Sequence, residues 1–147
     1  MSRIDDGHGT LISFETTPSA TGPGVTFWEK SVTPPGADGG GENDTTTMRN
    51  TLYRTKMPKQ LITLTEMSAE VSYDAGIYDD IIAMLNDNML ITITFPDTSK
   101  LAFYGWLDKF TPGAINEGEQ PTATITIVPS NQTDAGVETA PVYTAAA

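Results

Sequence analysis

Nineteen carboxylates and one histidine are the chemistry-bearing side chains of this 147-residue sequence, which contains no cysteine. Carboxylates lie close in sequence at Asp5 with Asp6, Asp79 with Asp80, and Glu117 with Glu119. Paired carboxylates perform acid–base work when burial drives their pKa values apart. Each of these pairs falls in a predicted loop or at the solvated start of a predicted helix, where burial is not expected. His8 sits between glycines near the N-terminus and reads as an ordinary exposed histidine. The sequence has no G-x-S-x-G elbow, no H-E-x-x-H pair and no alternating oxygen ligands of a calcium loop. The run Gly39-Gly40-Gly41 is followed by Glu42 and Asp44 rather than by Lys-Ser/Thr, so it would repel a phosphate instead of cradling it. The missing cysteines remove disulfides, thiolate zinc sites and thiol nucleophiles. These residues predict no enzyme, no cofactor and no metal.

Eight basic side chains against nineteen acidic ones give a formal charge of −11. Tight static binding to nucleic acid needs clustered Lys and Arg to displace counterions, so that function is disfavoured. Passage of DNA is a different matter, because an acidic conduit would not hold what moves through it. MSRIDDGHGT lacks the apolar core of a secretory signal, and no apolar run is long enough to span a bilayer. The expectation is a chain not exported by the signal route and not inserted in a membrane. The length suits one domain, residues 1–147, which can bury roughly 68–70% of its unfolded surface.

The elements that must position these residues are mostly strands. Repeated Thr, β-branched residues and Gly/Pro punctuation predict a mainly β domain. Candidate strands are Thr10 to Phe14, Val25 to Val32, Leu61 to Tyr73, Met89 to Phe95, Lys100 to Phe110, and Thr122 to Ile127. In the third, Ile62 and Leu64 share one face while Met67, Ala69, Val71 and Tyr73 share the other. Side chains alternate across a strand, so that phase change predicts a bulge, a bend or two consecutive strands. LAFYGWLDKF is apolar on both faces, as in strands covered on both sides. One helix is predicted after an Asp74 N-cap, with Ile77, Tyr78, Ile81, Ile82, Met84 and Leu85 as its apolar stripe and Asn86-Asp87-Asn88 as its stop. An antiparallel β-sandwich or barrel-like domain with one flanking α-helix satisfies this order. The core is expected at about 11–130, with 131–147 a loose, flexible tail.

Residues 34–60, PPGADGGGENDTTTMRNTLYRTKMPKQ, read as a long central loop. Structureless loops beyond about 12–15 residues are uncommon inside compact domains and are usually functional or disordered. This one joins a flexible half, Gly39 to Gly41, to a half with turn-forming chemistry, Thr45 to Tyr53. Such a loop can be buried by another copy of the chain. The expected subunit interface takes in Gly39, Gly40 and Gly41, with Asp44, Thr45, Thr46 and Thr47 as the main contact residues, since Asp and Thr order turns through their own side chains. Arg49, Arg54, Lys56 and Lys59 hold half of the positive charge and are expected to meet acidic patches on a neighbour.

The ordered set of motifs is specific: the Gly-rich run, Asn43-Asp44-Thr45-Thr46-Thr47-Met48, Leu61-Ile62-Thr63-Leu64, Tyr73-Asp74-Ala75-Gly76, Phe95-Pro96-Asp97, and Gly105-Trp106-Leu107-Asp108-Lys109-Phe110-Thr111-Pro112-Gly113. It resembles the major tail tube proteins of long, non-contractile-tailed (siphovirus-type) bacteriophages, over about residues 11–130. The resemblance implies a tail tube fold and a structural virion protein assembled in the bacterial host cytoplasm. It implies six subunits to a ring, rings stacked into a tube around a tape-measure protein, and transient, non-specific passage of double-stranded DNA. It also implies tail assembly chaperones, a tail terminator and distal tail proteins as partners, and a central loop that reaches neighbouring subunits. Two alternatives stand beside it: a related distal ring or secretion-system tube component, and a β-sandwich module binding a cell surface.

Overall fold

Alternating apolar residues decide most of the architecture. The computed structural model of the chain describes residues 8–15, 28–133 and 135–145. Eleven strands are assigned: β1 Leu11–Glu15, β2 Glu29–Thr33, β3 Ala37–Asp38, β4 Glu42–Asp44, β5 Lys56–Pro58, β6 Thr63–Leu64, β7 Met67–Ser72, β8 Met89–Thr94, β9 Lys100–Pro112, β10 Thr122–Pro129 and β11 Val142–Thr144. One helix, α1 Tyr78–Met84, follows a 3₁₀ turn at Ala75–Ile77. Val25, Thr26 and Phe27, expected to begin the second strand, lie outside the described residues, as do Asp5 and Asp6.

The main sheet runs β1-β8-β9-β10-β7-β2, with β11 added beside β9, and every pairing in it is antiparallel. Its buried side chains share one face: Ile12 and Phe14 on β1, Met67, Ala69 and Val71 on β7, Met89, Ile91 and Ile93 on β8, Phe103 and Leu107 on β9, and Ala123, Ile125 and Ile127 on β10. The opposite face carries Thr92, Thr94, Thr124, Thr126 and Glu70, as period-2 alternation requires. The sheet curls around its apolar face until its terminal strands meet. The Ile12 backbone N–H donates to the Glu29 carboxylate at 3.1 Å, joining β1 to β2 across a seam. The result is barrel-like, closed by a side chain where a backbone ladder would otherwise run.

Two irregularities explain the patterns that strict alternation missed. Leu61 to Tyr73 is two strands, β6 and β7, which accounts for the phase change. Within β9 the register against β10 shifts around Asp108: Leu107 opposes Ile127, but Lys109 opposes Thr126. That bulge moves the inward set from Phe103, Gly105 and Leu107 to Phe110, so apolar residues fall on both parities of one strand. Tyr104 and Trp106 lie half-buried on the outer face. Gly105 is required by close approach, since a Cβ there would sit 2.6 Å from the Val128 carbonyl oxygen of β10.

The Asp74 side chain caps the turn into the helix by accepting from the Gly76 backbone N–H at 2.9 Å. Asn86 ends the helix at φ 62°, in the left-handed conformation. The helix is only seven residues long and packs on β9, so Ile81 is fully buried while Tyr78 and Ile82 remain about half exposed. The predicted stripe is therefore only partly used.

The C-terminal segment departs from the loose tail expected beyond Ser130. Ser130 Oγ donates to Asn88 Oδ1 at 2.6 Å, Thr139 N–H donates to the Asn131 carbonyl at 2.8 Å, and β11 pairs with Lys100–Ala102. β10 stops at Pro129 opposite Gly105, and β11 takes up the edge of β9 that this leaves.

Candidate functional site

The long central segment is a β-arm. At its root, the Thr65 backbone N–H donates to the Gly36 carbonyl at 2.8 Å, and the Gly36 N–H donates to Thr65 Oγ1 at 2.8 Å. β3 then pairs with β6 (Ala37 with Leu64, Asp38 with Thr63) and, farther out, β4 with β5 (Glu42 with Pro58, Asp44 with Lys56). Between the two ladders Gly40 and Gly41 adopt φ +84° and +93°, which favour glycine. Gly41 also accepts the Lys59 N–H at 3.2 Å. The expected structureless loop is thus a two-stranded projection whose strands, two or three residues long, give no periodic signal in sequence.

At the tip, polar side chains fold the chain onto itself. Thr45 N–H donates to the Thr55 carbonyl at 2.9 Å, and Thr55 N–H donates to Thr46 Oγ1 at 3.0 Å. The Asp44 carboxylate accepts the Thr46 N–H at 2.9 Å. Asn50 is the hub: its Oδ1 accepts the backbone N–H and hydroxyl of Thr47, both at 3.1 Å, and its Nδ2 donates to the Tyr53 carbonyl at 2.8 Å. The Thr46 hydroxyl and then its backbone N–H hold the Asp44 carboxyl below the usual carboxylate range. Asp44, Thr45, Thr46 and Thr47, singled out from sequence as contact residues, are therefore brought together and engaged within the tip.

The basic residues divide. Lys56 pairs with Glu42 at 2.9 Å and Arg54 with Asp44 at 3.6 Å, both inside the arm and both exposed. Arg49 and Lys59 make no ion pair among the described residues. Sequence reasoning missed the apolar residues. Met48, Leu52 and Tyr53 are exposed at the tip, and Met57, Leu61 and Ile62 along the stem. From residue 36 to residue 63 only Thr46 and Asn50 are not exposed, so the arm meets the core only at its root, where Leu64 packs against it. The available signal was three large apolar residues in a polar stretch, too irregular for any helix or strand.

A groove of about 350 Å³ lies where the arm leaves the body, between Ile62 and Leu64 of the arm root and Asn131, Glu138, Ala140 and Pro141 of the C-terminal segment. Asn131 Oδ1 is buried and has no hydrogen-bond partner among the described residues. Such an acceptor costs about 1–3 kcal/mol until it is satisfied. Two further hollows lie along the seam, against His8, Gly9, Thr10 and the edge of β2. Among the described residues no cluster of three or more His, Cys, Asp or Glu could hold a metal, and no helix is long and apolar enough to cross a membrane.

Comparisons with known proteins give structural likeness alone: no family model and no curated protein matches the sequence. A chain of the native gene transfer agent virion is similar in fold at TM-score 0.63 and 11% identity, over 95% of this chain and 98% of that one. A chain of the anti-feeding prophage baseplate, from a six-fold symmetrised reconstruction, is similar at TM-score 0.66 and 9% identity, over 99% of both. A chain from the tail of the empty gene transfer agent particle, refined helically with C6 symmetry, is similar at TM-score 0.57 and 11% identity, over 95% and 98%.

Proposed function

We propose that the chain is a structural subunit of a phage-type tail that polymerises into stacked hexameric rings and forms the tube through which DNA leaves the particle. The observation that carries this reading is the combination of an end-to-end fold likeness to tail components with an arm whose residues 36–63 are almost all exposed among the described residues. The similar tail was refined with six-fold and helical symmetry, the arrangement of rings stacked along an axis. A formal charge of −11 suits a lumen that leaves DNA mobile. Self-association comes first among the partners. A tape-measure protein inside the tube, assembly chaperones, and terminator and distal proteins at its ends follow from the same reading. The role is architectural rather than enzymatic, and its place is the virion.

The likeness to a baseplate chain, which covers 99% of both chains, supports a second reading in which the chain forms one terminal ring. Negative-stain electron microscopy of concentrated protein separates the two. Long tubes are expected for the tube subunit and isolated rings for the terminal component. Monomers at every concentration, even beside the tape-measure protein and chaperones, would overturn both.

A further inference from the structure

We propose that the groove at the root of the arm is the seat for the arm tip of a second copy of this chain, with Leu52 and Tyr53 entering it and Arg49 meeting Glu138. This deepens the self-assembly reading and rests on it.

The tip and the groove lie at opposite ends of one β-arm, about seven residues apart along each strand, or roughly 23 Å at the usual rise per residue. The tip cannot fold back into its own groove, since the ladders Asp38–Thr63 and Asp44–Lys56 hold the arm extended. The two surfaces match in chemistry. Leu52 and Tyr53 are 84% and 81% exposed. The groove offers Ile62, Leu64, Ala140 and Pro141 as apolar wall.

Charge matches as well. Residues 34–60 contain four cationic and three acidic side chains, a net charge of +1, while the rest of the chain, with four and sixteen, carries −12. Within the tip, residues 45–55, the only charges are Arg49 and Arg54. Arg54 is already paired with Asp44, so Arg49 is the cation left to answer Glu138. A contact between two different patches of one chain is heterologous, and such contacts repeat into closed rings or open fibres.

The absence of native cysteine allows a direct test. Leu52→Cys and Ala140→Cys are made in separate chains, mixed under assembly conditions and mildly oxidised. Mixed disulfide dimers are expected, absent when either variant is oxidised alone. A second pair of variants reads charge. Arg49→Glu and Glu138→Arg should each raise the protein concentration needed for assembly by about tenfold or more, and together restore it. Tubes or rings that form without the cross-link, and without sensitivity to either charge reversal, would overturn the seat while leaving the tube reading intact. Wild-type protein that never assembles would overturn both.

Discussion

The barrel and the arm are built from the same strand geometry and held by opposite forces. In the barrel, Phe103, Leu107, Ile125 and Ile127 are buried to within 1% of completion, and hydrogen bonding serves chiefly to fix register. In the arm, Met48, Leu52 and Tyr53 face solvent, and order comes from short ladders and the Asn50 hub. An arm stabilised only by exposed polar contacts gains little from burial in its own chain. Its apolar side chains remain available to another. The comparison teaches that the chain keeps its folding surface separate from the surface proposed for assembly, so each can be altered without the other.

That separation can be broken or sharpened by substitution. The largest effect is expected from Phe103→Ala, which hollows the core and should lower stability by about 3–5 kcal/mol in urea unfolding followed by circular dichroism. Next, Gly105→Ala places a methyl against the Val128 carbonyl and should cost about 1–3 kcal/mol in the same assay. Asn50→Ala removes the hub at the tip. Amide exchange across Thr45 to Thr55 should accelerate while the urea midpoint of the barrel stays unchanged. A loss of barrel stability in that variant would contradict the separation. The smallest effect is the acid response of the tip. The folded-state pKa of Asp44 is depressed, so its contribution is complete above the ordinary value of 3.8 and is lost as pH falls through the lower folded pKa. Chemical shifts of Thr46 and Thr55 should move there first, and Asp44→Asn should abolish the transition.

The barrel was largely legible in sequence because burial imposes a period. Met89, Ile91 and Ile93, or Ala123, Ile125 and Ile127, announce one buried face each. The Asp74 cap and the Asn86 stop were legible because each is a local hydrogen-bonding or dihedral preference. The bulge at Asp108 was not, since a register shift depends on the neighbouring strand rather than on the shifted residue. The arm was not, because strands as short as Ala37–Asp38 and Glu42–Asp44 have no buried face to repeat. The candidate site was half legible. The D-T-T-T run drew notice as polar turn chemistry, which the tip uses internally. Met48, Leu52 and Tyr53 carry no periodic signal in a polar stretch, because only their shared place at the end of a projection gives them meaning.

The seam between β1 and β2 has a consequence for the chain before it meets any partner. An exposed strand edge is a template on which another chain can add, and an antiparallel sheet ordinarily ends in two of them. Here the Glu29 carboxylate of one terminal strand occupies the Ile12 N–H of the other, which an intruding strand would seek. A protein built on such a sheet avoids aggregation only by suppressing these undefined contacts. The curled sheet does so by turning its own ends into mutual guards.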